Sequence, residues 1–118
     1  IERILPVNIL PYDDRVEAPE GCKPNIVNDH LILNGIEGVW PALLGLNEVK
    51  IKEDNKIKTI LSGSIDGKDY PLLVISEQFS GKTAVWTSDV GPHWLPNEFV
   101  QWNGYSLLWN NLFKWLTE

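Results

Sequence analysis

YPLLVISEQFSGKTAVWTSDVGPHWLPNEFVQWNGYSLLWNNLFKWL, residues 70–116, carries the strongest structural signals of this chain. Its first part predicts two antiparallel strands, 70–79 and 82–88, because a glycine-containing pair, Ser80-Gly81, separates two β-prone runs. Its second part predicts one long helix from about Glu98 to Leu116, because apolar residues recur there at three- and four-residue steps. The apolar stripe consists of Trp102, Tyr105, Leu108, Trp109, Leu112, Phe113 and Leu116. Asn97 is the predicted helix cap, and Gly104 indicates close packing of another backbone.

The remaining sequence predicts further strands around this unit. Alternating residues from Val49 onward and the run 57–65 predict antiparallel strands, with a turn at Asp66-Gly67. The nearly continuous apolar run 72–75 is typical of a strand buried on both faces. Near the N-terminus, 7–10 and 15–18 read as extended pieces, and 1–5 as the last turn of an apolar-faced helix ending before proline. Residues 19–45 are expected to form an ordered loop with one helical turn.

Composition limits the classes of function. The chain has 118 residues, 43% of them hydrophobic, which predicts one packed domain or part of one. A net charge of −6 disfavours nucleic acids and anionic membranes as partners, because phosphate binding requires an excess of Lys and Arg. No apolar run is long enough to span a membrane, and no signal peptide opens the chain.

A single cysteine and the lack of methionine add two expectations. Cys22 has no partner for an internal disulfide or a thiolate zinc site, so a cytoplasmic location is predicted. In its proline-bounded sequence, Cys22 reads as an exposed loop residue without a catalytic role. A chain without methionine does not begin at its own translation start. We therefore expect 1–118 to be a single partial domain of a longer protein.

The polar loop TSDVGPHW, 87–94, holds the main candidates for chemistry. His93 is a candidate general base or acid, with Asp89 or Glu98 as the orienting carboxylate. Ser88 is a candidate hydroxyl partner, and Trp94, like Trp40, is a candidate pocket wall. A structural role is the favoured alternative, in which Ser88 and Asp89 cap a turn and His93 makes one hydrogen bond at a packed corner.

A second polar cluster, YDDRVE, spans residues 12–17. Tyr12, Asp13, Asp14 and Arg15 are candidate binding residues, but a salt-bridged turn is the favoured interpretation because Arg15 neutralises a neighbouring carboxylate. His30 is expected to pack or to make a hydrogen bond. A metal site would need a third ligand to which nothing in the sequence points, so neither metal nor cofactor is expected.

Two segments carry a resemblance to a known family: LPVNILPYDDRVEAPEG, 5–21, and ISEQFSGKTAVWTSDVGPHWLPNEFVQWNGYSLLWNNLFKWL, 75–116. They resemble the C-terminal half of the putative glutamine amidotransferase family, uncharacterised bacterial proteins. The resemblance implies an α/β, flavodoxin-like, class I glutamine amidotransferase-like domain about twice this length. It also implies that His93 matches the histidine that works with a cysteine nucleophile. Leu95 stands where that signature has glutamate, so Glu98 is left to approach from the helix start.

Two functions follow as hypotheses, and whether the protein is an enzyme stays open. The first is a hydrolase or amidotransferase that acts on a small polar substrate through the His93 loop. The alternative is a non-catalytic module for small-molecule binding or assembly. The expected partner is the protein's own N-terminal half or a second copy of the chain, because a partial sheet leaves an open edge and an uncovered apolar face.

Overall fold

The structure, a computed structural model, describes residues 2–118. Its elements in chain order are a 3-10 turn Glu2–Ile4, β1 Val7–Ile9, β2 Arg15–Cys22, β3 Pro24–Ile26, a 3-10 turn Leu31–Leu33, β4 Leu43–Asn47, β5 Val49–Ile51, β6 Ile57–Ile65, β7 Lys68–Ser76, β8 Thr83–Trp86, α1 Asn97–Val100 and α2 Asn103–Thr117. The chain is therefore mixed α/β, with its longest helix at the C-terminal end, as predicted.

The strands form three antiparallel groups. β3, β6, β7 and β8 make a four-stranded sheet in that order, β2 pairs with β4, and β1 pairs with β5. Every strand pair among residues 2–118 is antiparallel. A flavodoxin-like domain is built on a parallel sheet, so the flavodoxin-like fold implied by the resemblance stays a prediction.

The sheet centre confirms the predicted double-sided burial. Leu72, Leu73, Val74 and Ile75 of β7 are all buried, and since successive side chains of a strand point to opposite faces, both faces of β7 are covered. The predicted turn at Asp66-Gly67 is also confirmed: both residues have positive φ, 51° and 80°, which matches the twist of the flanking strands.

The predicted two-residue hairpin at Ser80-Gly81 is wrong. Ser76 pairs with Thr83, so the connection is the six-residue loop 77–82. Phe79 and Ser80 carry its left-handed backbone, with φ of 57° and 61°. The sequence pattern placed the tightest point of the turn one residue too late.

The single helix predicted over 98–116 is two helices, α1 and α2. Trp102 interrupts them in an extended conformation, φ −69° and ψ 139°, and no side chain caps the N-terminus of either helix, so Asn97 is not the predicted cap. This break turns the Trp102 ring toward Trp40 and Phe99, with ring centroids at 4.7 Å and 5.6 Å. Packing of these three aromatic rings against one another favours the interruption over a continuous helix.

Two details of the predicted helix are also corrected. A Cβ on Gly104 would lie 2.6 Å from Cε2 of Trp102, so the close neighbour is an indole ring and not another backbone. Trp115 is buried, whereas Phe113 of the predicted stripe is 61% exposed. The buried face is rotated because Trp115 packs edge-on against His30, with ring centroids 5.3 Å apart.

Residues 19–45 contain more structure than the predicted loop. The end of β2, all of β3 and the start of β4 lie there, together with the expected turn at Leu31–Leu33. Their partners lie 20 residues or more away along the chain, so local periodicity gives little sign of them. At the N-terminus the predicted helical turn is a 3-10 turn with exposed Ile4, and Ile1 lies outside the described residues.

Cys22 is the last residue of β2 and is buried, which corrects the predicted exposed loop. Its Sγ lies only 2.7 Å from the position that a Cβ on Gly63 would occupy, so the thiol fills the space left by this glycine. Burial raises the pKa of the thiol, so the thiolate needed of a nucleophile is disfavoured.

Candidate functional site

The loop 87–96 leaves β8 and is bonded to the backbone of β4 along its length. The Asn47 amide donates to the Thr87 carbonyl and the Leu44 amide to the Trp94 carbonyl, each at 2.7 Å. The Ser88 hydroxyl donates to the Gly45 carbonyl at 2.7 Å. Because all three hydrogen bonds involve the backbone of β4, the path of the loop beside this strand is fixed.

His93 and Asp89 form a pair within this loop. The His93 Nδ1 lies 3.1 Å from the Asp89 Oδ2, and the same oxygen accepts a hydrogen bond from the Trp94 amide at 3.0 Å. An ionised carboxylate only accepts, so Nδ1 carries the proton and Nε2 holds the free lone pair in the neutral ring. The His93 side chain is 69% exposed, so Nε2 is open to a solute.

The backbone of His93 is strained. Its φ is +105°, a region that non-glycine residues rarely adopt. Such a conformation costs on the order of 1–3 kcal/mol and persists only where the surroundings enforce it. Here Asp89 and the bonds from β4 enforce it, and strain of this kind is characteristic of binding and catalytic sites.

Trp94, a predicted pocket wall, is buried and packs beside His93, and Trp40 is buried as well. The Trp94 Nε1 donates to Glu17 Oε2 on β2 at 2.9 Å. Its ring stacks on the His93 ring, with centroids 5.4 Å apart and an interplanar angle of 29°. Trp94 therefore belongs to the support of the site and not to its open surface.

Glu98 and the YDDRVE cluster do not join the His93–Asp89 pair. Glu98 is exposed in α1, and within residues 2–118 no hydrogen bond or ion pair connects it to His93. Asp13 and Arg15 form the expected exposed salt bridge at 2.8 Å, and hydrogen bonding to Arg15 lowers the pKa of Asp13 to about 2. Tyr12 is exposed.

Besides Glu17, which accepts from the Trp94 indole, Asp14 is the member of that cluster that approaches the loop. The Asp14 Oδ1 accepts a hydrogen bond from the Asn47 side-chain amide at 2.7 Å, and the Asn47 backbone amide donates to the Thr87 carbonyl. His30 confirms the modest role expected of it: Nδ1 accepts from the Ile32 amide at 3.2 Å and starts the 3-10 turn. Among the described residues, no three His, Cys, Asp or Glu side chains come together as a metal site would require.

Sequence reasoning missed Glu17 and Gly45 as parts of this arrangement. Glu17 lies 77 residues from Trp94 along the chain. The nearest signal was a polar side chain inside the extended segment 15–18, which does not identify a partner. Gly45 is opposite Glu17 in the β2–β4 pair, and only the packed indole explains why no side chain is present there.

These features define a mixed α/β protein whose polar loop holds a histidine–carboxylate pair at the end of an edge strand. The chain belongs to the family GATase1_like, described as "Putative glutamine amidotransferase", whose profile matches residues 1–118. This confirms the resemblance found in the sequence. None of the curated proteins matches the chain.

Two solved structures are similar to this one. They are the cytoplasmic proteins STM3548 from Salmonella typhimurium and STM1381 from Salmonella typhimurium LT2, each 36% identical in sequence with a TM-score of 0.83. Each match covers 97% of this chain and 44% of the neighbour, so the chain spans less than half the length of these neighbours. Both are described as cytoplasmic, in agreement with the predicted location. No helix within residues 2–118 is long and apolar enough to cross a membrane.

Proposed function

We propose that the protein is a cytoplasmic hydrolase or amidotransferase that acts on a small polar substrate, with His93 as the general base and acid. The observation that carries the proposal is the contact of His93 Nδ1 with Asp89 Oδ2 at 3.1 Å, which leaves Nε2 free and exposed. A carboxylate that fixes the tautomer of an imidazole is the arrangement that general-base histidines use. Asp89 thus takes the orienting role for which Glu98 was the other candidate.

The reaction assigned to this pair is transfer of an acyl group from a small amide to water or to an acceptor. Nε2 takes a proton as the nucleophile attacks the carbonyl carbon, and returns it to the departing amine, so the histidine ends unchanged. The Ser88 hydroxyl already donates to the Gly45 carbonyl, and Cys22 is buried with a raised pKa. Neither Ser88 nor Cys22 is therefore placed to act as the nucleophile, and we assign that role to water or to a group outside residues 1–118.

We further propose that residues 1–118 work as part of a larger flavodoxin-like domain. The supporting observation is the coverage, 97% of this chain against 44% of each neighbour. β8 is an edge strand of its sheet within the described residues, and further strands add to a sheet at such an edge.

The test compares ammonia release from L-glutamine and hydrolysis of p-nitrophenyl acetate by the protein in its full natural length. His93→Gln is expected to lower either rate by about 10²-fold or more, the usual contribution of a general base. Asp89→Asn is expected to lower it less, because the histidine remains but loses its preferred tautomer. His30→Asn is the matched control and keeps the wild-type rate. Wild-type turnover that survives His93→Gln would show that His93 is not the base.

A second candidate function, an assembly module, is favoured by an aromatic surface made of Trp86, Tyr105, Trp109 and Phe113, of which Phe113 is exposed and the other three are half-buried. Trp109 lies at its centre, with ring centroids 5.2 Å from Trp86, 6.2 Å from Tyr105 and 6.4 Å from Phe113. It includes a residue of the edge strand β8, so a partner could cover strand and rings together. Contiguous apolar side chains that stay partly open to solvent mark interaction sites.

The assembly proposal is tested with Phe113→Ser and sedimentation of the full natural protein. A solvent-exposed side chain changes the free energy of unfolding by about 0.5 kcal/mol or less when it is replaced. Coverage by a partner or by another part of the protein predicts a larger loss, or a shift to smaller species. Leu107→Ser, at a partly exposed position outside the aromatic surface, is the control, and equal effects of the two variants would count against assembly through these rings.

A further inference from the structure

Within residues 2–118 no hydrogen bond or ion pair joins Glu17 to His93, yet Glu17 holds the residue on which His93 rests. In the β2–β4 pair, Glu17 is opposite Gly45. The indole of Trp94 occupies the space beside both: Nε1 donates to Glu17 Oε2 at 2.9 Å, and a Cβ on Gly45 would lie 2.6 Å from Cε2 of the ring. Because Trp94 is only 4% exposed, its ring has little room for another orientation.

Trp94 passes this constraint to His93 through two contacts. Its amide donates to the Asp89 oxygen that also faces His93 Nδ1, and its ring stacks on the imidazole. The imidazole is otherwise mostly open to solvent. Its orientation therefore depends on where the indole and Asp89 are held.

We propose that Glu17 is a positioning residue for His93, acting through the indole of Trp94. Its carboxylate fixes the indole across the β2–β4 pair, and the indole fixes the stacked imidazole and the Asp89 contact. The inference rests on the proposed function for its catalytic meaning, but the geometric relay is a property that can be measured without any substrate.

The experiment follows the side-chain nitrogen and carbon-bound proton resonances of His93 by NMR in the full natural protein. Glu17→Leu removes the acceptor, so we expect the indole Nε1–H resonance of Trp94 and the His93 ring resonances to shift together. Glu17→Gln keeps an acceptor oxygen and is expected to leave both nearer to their wild-type positions. Glu20→Leu, an exposed glutamate of the same strand, is the matched control and is expected to leave both unchanged.

Trp94→Phe supplies an independent test if Glu17→Leu fails to fold, because it keeps an aromatic ring beside His93 and removes the five-membered ring with its N–H donor. It is expected to shift the His93 resonances in the same direction. His93 resonances that stay at wild-type positions in Glu17→Leu, or in Trp94→Phe where the former does not fold, overturn the proposal.

Activity measurements separate the two proposals. Where the wild type turns over a probe, Glu17→Leu is expected to reduce kcat by about 10²-fold at most, the scale of a misplaced catalytic group, with Glu17→Gln restoring most of it. If His93→Gln leaves the rate unchanged while Glu17→Leu shifts the His93 resonances, the proposed function fails and the relay stands. If His93→Gln abolishes turnover and the resonances do not move, only the relay fails.

Discussion

Gly45→Ala tests the packing on which the site depends. The new Cβ would lie 2.6 Å from Cε2 and 2.7 Å from Cδ1 of Trp94, and still closer to Nε1. Carbon atoms in contact need about 3.5–4.0 Å, so the ring or the strand must move by roughly 1 Å. The ring is buried and bonded to Glu17 at 2.9 Å, so it cannot simply swing away. We expect Gly45→Ala to lower the free energy of unfolding by about 1–3 kcal/mol, the usual cost of overpacking.

Urea denaturation followed by circular dichroism measures this loss, and a double-mutant cycle identifies its cause. Gly91→Ala is the matched control, since a Cβ there meets nothing within 4 Å. In a Trp94→Leu background the clash is absent, and Gly45→Ala is expected to be neutral or to stabilise by about 0.4–1 kcal/mol through the unfolded chain. An equal loss in both backgrounds, or a loss no larger than that of Gly91→Ala, would refute the reasoning.

Three further predictions concern other residues. At His93, whose φ is +105°, glycine is expected to give a protein about 1 kcal/mol more stable than alanine does, measured by urea denaturation, and the opposite order would show that the backbone there is relaxed. Burial, with a smaller contribution from Lys58, lowers the pKa of His30 below 6.5. The unfolded chain then takes up its proton first, so stability is complete above pH 6.5 and falls as the pH decreases toward 5. His30→Asn keeps an acceptor for the Ile32 amide and is expected to flatten this part of the pH profile. If the free energies of unfolding of the two proteins differ by the same amount at pH 7 and at pH 5, the prediction is wrong. Cys22 is expected to react with a disulfide reagent only as fast as the protein unfolds, so a rapid reaction of the folded protein would count against its burial and raised pKa.

The parts of the fold that sequence reasoning recovered depend on neighbours in the chain. The turn at Asp66-Gly67 joins β6 to β7 directly, and its residue types specify the left-handed backbone that the turn needs. The buried run 72–75 reflects a strand with both faces covered. Within the site, the pairing of Asp89 with His93 spans four residues, so its candidates were recognisable from the loop itself.

The parts it missed depend on contacts between distant segments. β3 is three residues long and pairs with β6 across more than 30 residues, which leaves no periodic pattern to read. The helix break at Trp102 follows from packing against Trp40, 62 positions earlier. Periodicity alone favoured a continuous helix because it takes no account of which rings must be buried together.

The amino-acid order alone fixed the acidic charge, the family resemblance, the mixed α/β class and the loop that contains His93 and Asp89, because each of these depends on composition or on residues close in the chain. Tertiary structure determined that Cys22 is buried, that Glu98 and Arg15 stand apart from His93, and that Glu17 and Gly45 support it through Trp94. Packing and hydrogen bonding act between whichever groups the folded backbone brings together. The 2.9 Å hydrogen bond between Trp94 and Glu17 therefore cannot be recognised from the sequence, in which 77 positions separate the two residues.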